Sequence, residues 1–191
     1  KKTDKVILLF DLIKQSPKDG VIVECGVGRG FTLSVISKIS KNKIYAFDSF
    51  EGFPENTSEN DHKNISKVLR FSKWHFKLMT IDLVKQNLIN NNIEPTDIEN
   101  KIVFKKGWFP NSFKDFNEEV SFLHLDVDLY NSYKDCLEFF FPKLKKGGIV
   151  TFDEYYKDIN NILSKKDWDW RGANIAIDEF VKKNNLELLE H

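Results

Sequence analysis

Two pairs of acidic residues are spaced so that they can act together on a bound ligand. Asp126 and Asp128 lie two residues apart in FLHLDVDLYNSY (122–133), and Asp153 and Glu154 are adjacent in GIVTFDEY (148–155). Each pair follows a stretch that reads as a buried strand. Ligands of open α/β sheets bind beyond the carboxyl ends of the strands, so neighbouring strands would bring these acids together. Left uncompensated, such carboxylates repel one another and hold protons more tightly. A hard divalent cation resolves that conflict, because Mg2+ prefers one or more carboxylates together with water and substrate oxygens. The chain has two cysteines and four histidines but no Cys/His cluster, which argues against zinc. Residues 126 and 128 share a face if the strand stays regular. One acid then holds metal while the other serves as base or orienter, so Asp126 and Asp128 are the candidate catalytic residues. The alternatives are an acid capping the following helix at Asn131 or Ser132, and plain solvated loop acids. His124 falls on the same face; it reads as a packed, hydrogen-bonded histidine before it reads as a base.

A second motif, ECGVGRGF (24–31), closes the first strand and opens a helix. Glycine at 26, 28 and 30 lets the backbone turn sharply and lets a ligand lie against it. A dinucleotide-binding turn would put its third glycine at position 31, which is Phe31. Glu24, just before the turn, would repel a pyrophosphate but suits an amino-bearing ligand. Asp48 ends the next strand, where an acid typically accepts hydrogen bonds from ribose hydroxyls. A nucleoside with a cationic tail and no phosphate satisfies both, and S-adenosylmethionine is such a ligand.

Positioning these residues requires an α/β fold with a mostly parallel sheet and helices on both faces, because strand and helix patterns alternate along the chain. Strands are expected at 21–27, 43–50, 101–109, 121–129 and 148–155, with a sixth beginning at LELL (186–189). Helices are expected at 5–15, 31–40, 63–91 in one or two pieces, 132–148 ended by Gly147 and Gly148, and 173–185. The polar stretches 51–64 and 156–172 read as long loops of the kind that form lids or binding loops. Trp108, Trp168 and Trp170 are candidates to line an acceptor site. The run Phe139–Phe141 reads as core, and His62 and His75 as surface.

The 191 residues, 41% of them apolar, suit one domain with a full core. Residues 1–188 are read as that domain and 189–191 as a tag remnant. Lys+Arg and Asp+Glu both number 29, so there is no general basic field for nucleic acid. No apolar run approaches the roughly 18 residues that span a membrane. Two cysteines make no disulfide framework, which predicts a cytoplasmic protein.

The blocks VECGVGRGFT, FDSFEGFP, KGWFPNSF, LDVDLYNSYKDCLEFFFPKLKKGGIVTFDEY and GANIAIDEF resemble, in order and spacing, the macrocin O-methyltransferase family. That family includes enzymes methylating sugars of macrolide and aminocoumarin antibiotics. The resemblance runs from Val23 to Phe180. It implies a Rossmann-like class I methyltransferase domain, S-adenosylmethionine, Mg2+, a sugar hydroxyl on a small-molecule acceptor, and a homodimer or higher homo-oligomer. Carried over by motif, Glu24, Gly26, Gly28, Thr32, Asp48 and Ser49 bind cofactor, with Gly107 and Trp108 near the adenine. Asp126, Asp153 and Glu154 bind metal. Asp153 and Glu154 stand where the family more often has two aspartates, and their placement also resembles the acid-plus-amide pair of catechol O-methyltransferase. The rival readings are a catechol-type small-molecule methyltransferase, an NAD-dependent oxidoreductase and a non-catalytic nucleoside-binding protein of the same fold.

Overall fold

The structure is a computed structural model that describes residues 2–54, 57–61, 79–156 and 170–189. Five strands form one parallel sheet: β1 (Val21–Cys25), β2 (Ile44–Asp48), β3 (Ile102–Lys106), β4 (Val120–Leu125) and β5 (Leu144–Phe152), in the order β3-β2-β1-β4-β5. The helices are α1 (Lys2–Gln15), α2 (Phe31–Ile39), α3 (Ile81–Asn90), α4 (Pro95–Lys101), α5 (Tyr130–Phe140) and α6 (Arg171–Lys183).

The central strands β1, β2 and β4 are buried on both faces, as in sheets covered by crossover helices, while the edge strands β3 and β5 are only partly buried. Alternation sends Val23, Cys25, Phe47 and Leu123 into one core, where Tyr133 and Phe140 of α5 and Ile177 of α6 meet them. It sends Ile22, Ala46 and Phe122 into a second core, closed by Leu9 and Ile13 of α1, Ile36 of α2 and Leu88 of α3. The expected helices on both faces are therefore present. Much of the phenylalanine content fills the first core. Phe47, Phe113, Phe116 and Phe140 pack edge to face, with ring centroids 4.9–5.8 Å apart. Each such buried side chain contributes about 1.5–3 kcal/mol from area alone. Phe140 is fully buried, and Phe139 packs partly buried against the same core.

Several boundaries differ from the sequence expectation. α5 does not run on to the glycine pair. It ends at Phe140 and passes into a 3-10 turn, Phe141–Lys143, since Pro142 lacks the N–H an α-helix needs. The glycines instead lie inside β5. Val120 pairs with Leu144 and Phe122 with Ile149, so the residues between bulge out, and Gly147 adopts φ +79° there. A short helix, α4, fills the stretch before β3, with Pro95 in its first turn. No strand forms at 186–189: the Leu186 N–H is used by the Val181 carbonyl as α6 unwinds. Residues 63–78 of the expected long helix, with His62, His75 and Trp168, lie outside the described residues. No helix among the described residues is long and apolar enough to cross a membrane.

Candidate active site

The chain runs outward from β1 through β2 to β3, then returns to place β4 on the other side of β1. Ligand sites open where strand order reverses in this way. A cavity of about 790 Å3 lies here. Hydrogen bonds continue the ladder past the strand ends and fix its rim. Asp126 N–H donates to the Cys25 carbonyl, Asp153 N–H to that of Leu125, and Gly107 N–H to that of Asp48, each at 3.0 Å.

The glycine turn is built from the backbone. Gly26 has φ +85°, and a Cβ there would fall on the Asp126 carbonyl oxygen, so its missing side chain lets the β1 and β4 exits touch. Gly28 has φ +51° and nothing within 4 Å of a Cβ position; it borders open cavity that a ligand can fill. Asp48 braces this turn. Its Oδ2 accepts Val27 N–H at 2.8 Å and Gly28 N–H at 3.0 Å, and its Oδ1 accepts Phe50 N–H at 2.8 Å. Thus the acid expected at a ribose is largely occupied by backbone amides. The Ser49 hydroxyl donates to the Gly52 carbonyl at 2.6 Å. Thr32, Ser49, Gly107 and the half-exposed Trp108 line the same cavity. Trp170 instead packs with Phe53 on Leu129.

Glu24 stands apart. It is 1% exposed, and among the described residues neither of its carboxylate oxygens has a hydrogen-bond partner. Burial, with the Asp126 charge next, holds its carboxyl well above the ordinary carboxylate range. A buried carboxylate without a donor is costly. An ammonium donor beside it would supply both charge and hydrogen bonds, so Glu24 and the open Gly28 cradle fit S-adenosylmethionine.

β4 stops at Leu125, one residue before Asp126. Asp128 then takes φ +61°, a left-handed conformation that aspartate tolerates better than most residues. The shared face expected for Asp126 and Asp128 on a regular strand is therefore absent; a turn, not a strand, brings them together. Asp126, Asp128 and Glu154 can each offer a ligand atom within 4.8 Å of the others, and so can His124, Asp126 and Asp153. Asp126 belongs to both groups, while the adjacent Asp153 and Glu154 divide between them. An all-oxygen set fits a hard cation such as Mg2+.

The chain's own groups partly neutralise these acids. Tyr133, fully buried on α5, donates its hydroxyl to Glu154 and also contacts the Leu125 carbonyl at 3.0 Å. Burial above all, then the Asp126 and Asp128 charges, keeps Glu154 well above its ordinary pKa, and it shares a hydrogen bond with Asp126. Burial also raises Asp128, reinforced by Asp126 and Asp153. Lys5 of α1 pairs with Asp153 and lies 3.9 Å from Asp126 Oδ2. His124 Nδ1 lies 2.8 Å from Thr151 Oγ1. Burial, with Lys5 next, lowers the His124 pKa to about 4, so the ring is neutral near pH 7. Its Nε2 has no partner among the described residues. Lys5 and Tyr133 are absent from the sequence-derived site. Lys5 is 148 residues from Asp153 along the chain, and no local pattern links them. One signal existed: Lys5 falls on the stripe of Leu9, Leu12 and Ile13, so a charge was aimed at the sheet.

This arrangement is the class I methyltransferase architecture. The O-methyltransferase NovP superposes with a TM-score of 0.74 at 21% identity, covering 97% of this chain and 75% of that one. CalS11, a calicheamicin methyltransferase, superposes at 0.60 with 22% identity, covering 98% and 74%. Residues 3–183 match the macrocin-O-methyltransferase (TylF) family profile, and the chain belongs to that family. It is 25% identical over 166 residues to the 8-demethyl-8-(2,3-dimethoxy-alpha-L-rhamnosyl)-tetracenomycin-C 4'-O-methyltransferase of Streptomyces olivaceus, covering 83% of this chain and 61% of that protein. To the demethyldecarbamoylnovobiocin O-methyltransferase of Streptomyces niveus it is 26% identical over 143 residues, 71% of this chain and 53% of that protein. The chain thus spans 61% and 53% of the length of these curated relatives, less than two thirds of either.

Proposed function

We propose that the protein transfers a methyl group from S-adenosylmethionine to a hydroxyl on the sugar of a glycosylated small molecule, with Mg2+ as partner. The observation that carries this reading is the meeting of the two halves at one cavity: Gly28 and Asp48 on one side, Asp126 and Asp128 on the other. The relatives support the substrate class, since one is named for a rhamnosyl 4'-hydroxyl. A related fold from Streptococcus mutans was solved with SAH bound, at a TM-score of 0.55 and 15% identity.

In this reading Glu24 holds the cofactor's ammonium, and the open face of Gly28 lets the nucleoside approach the backbone. Asp48 keeps the turn in shape and Trp108 flanks the adenine. Asp126 would hold the cation, together with Glu154 or with His124 and Asp153, which leaves Asp128 to act as base. S-adenosylmethionine supplies an electrophilic methyl group, and Mg2+ makes an acceptor hydroxyl more acidic. Asp128, in its deprotonated form, takes the hydroxyl proton as the oxygen attacks; burial and its acidic neighbours favour its protonated form, so a bound cation would be needed to free it. Tyr133 steadies Glu154, and the rim hydrogen bonds fix Asp126 against the glycine turn. The residues' main contribution is alignment of oxygen, methyl carbon and sulfur.

The test is calorimetric binding of S-adenosylhomocysteine with Mg2+ and with EDTA, followed by methyl transfer to rhamnosylated acceptors. Low-micromolar binding, about −8 kcal/mol, and Mg2+-dependent product are expected. Absence of binding by folded protein would refute the reading.

A further inference from the structure

The acid cluster is served by a cation from an unexpected source, the N-terminal helix. Lys5 continues the buried stripe of α1 to the carboxyl edge of the sheet, where its ammonium donates to Asp153 and approaches Asp126. The same two carboxylates group with a ring nitrogen of His124, whose Nε2 is buried and has no partner among the described residues. Two oxygen donors and one nitrogen donor thus surround a position that a lysine tip now neutralises. Asp126 is also the residue shared with Asp128 and Glu154. A dipositive ion held by either group would lie close to the Lys5 ammonium. Like charges at such separations repel strongly where water is partly excluded.

We propose that Lys5 is a tethered counter-cation which a divalent metal must displace, so that metal loading releases the first turns of α1 from the site. The proposal rests on the reading of Asp126 as a metal ligand. It explains why the lysine stands on a core-facing stripe, where a leucine would otherwise serve. The ammonium neutralises the carboxylates before metal arrives, and the same contact ties α1 to the strand ends. Metal affinity and the position of the helix are then two readings of one competition. Lys5 lines the same cavity as Gly28 and Asp48, so cofactor affinity is measured in each variant as a quantity of its own.

Mn2+ titrated calorimetrically into wild type, Lys5→Met and Lys5→Arg tests this. Methionine keeps the apolar stem and removes the charge; arginine keeps the charge. Lys5→Met is expected to bind Mn2+ about tenfold tighter or more, and Lys5→Arg no tighter than wild type. Mn2+ should also speed hydrogen exchange of the α1 amides in wild type but not in Lys5→Met. Thermal melting establishes that each variant is folded. Equal or weaker Mn2+ binding by folded Lys5→Met overturns the proposal, as does α1 exchange indifferent to Mn2+. If no variant takes up Mn2+ while all bind S-adenosylhomocysteine, both the cation site and the displacement fall, and the methyltransferase reading survives.

Discussion

The two sides of the cavity are completed by different means. On the β1–β2 side, the turn closes on itself: Asp48 accepts three backbone N–H groups, and Ser49 bonds to Gly52 within the same loop. On the β4–β5 side, four carboxylates crowd a short arc, and what balances them is a tyrosine hydroxyl, retained protons and one lysine from a distant helix. The first half is a finished cradle with open space at Gly28. The second is an excess of negative charge that remains favourable for a cation. Glu24 links the halves, since it belongs to β1 yet feels Asp126 most among its charged neighbours.

The largest expected effect breaks the contact between the halves. Gly26→Ala puts a Cβ onto the Asp126 carbonyl in a left-handed backbone. The exits of β1 and β4 cannot both keep their places, and a loss of about 4 kcal/mol or more is expected, read as insoluble protein or a collapsed melting temperature. Gly28→Ala, with free space around it, should fold at a cost of about 1 kcal/mol for its positive φ. It should weaken cofactor binding out of proportion to that small change. Equal stability of the two variants would refute the different roles assigned to these glycines.

Asp126→Ala acts on one half alone. Methyl transfer should fall about 10²–10⁴-fold, or 3–5 kcal/mol on the barrier, while S-adenosylhomocysteine affinity changes little. A variant that keeps most of its activity would remove Asp126 from the chemistry. Asp48→Ala is the converse. It strips three part-buried amides of their acceptor, and because water from the cavity can replace it in part, a total cost of about 1–3 kcal/mol is expected. Cofactor affinity should drop before the metal response does, which calorimetry with and without Mg2+ would separate.

The uneven legibility of the sequence follows from the same contrast. The cradle was readable because its information is local: glycines at alternate positions, an acid at the tip of the next strand. The alternation of strand and helix patterns along the chain also made the parallel sheet and its two-faced covering readable. The role of Asp48 was not, since a carboxylate facing ribose and one facing amides look alike in a string of letters. The acid cluster was readable as composition, not as geometry. Nothing in LDVDL says that the strand stops at Leu125 or that Asp128 turns left-handed. Lys5 and Tyr133 enter through packing between elements far apart in sequence, which periodicity locates only as a stripe. The glycine pair at 147 and 148 misled because glycine marks a strand bulge as readily as a helix end, and Pro142 had already ended the helix.

The smallest effect concerns pH and separates the halves without harming either. Glu24, Asp128 and Glu154 all hold protons above their ordinary range, chiefly through burial. The folded chain therefore keeps protons that the unfolded chain releases, and stability falls as pH rises beyond the ordinary carboxylate range. His124 works the other way. Its pKa of about 4 against an ordinary 6.5 means stability lost as pH drops between those values, so the two trends oppose each other below pH 6.5. Above it His124 is neutral in both states, and the acids act alone. Above about pH 6.5 the melting temperature without metal should decline for as long as the folded chain keeps those protons. Mg2+ should flatten the decline, because it replaces the retained protons with a cation whose hold strengthens as they leave. Glu154→Gln should flatten it without metal by removing one such proton. A slope unchanged by both would mean that the acid half is balanced within the chain after all, as the glycine half is.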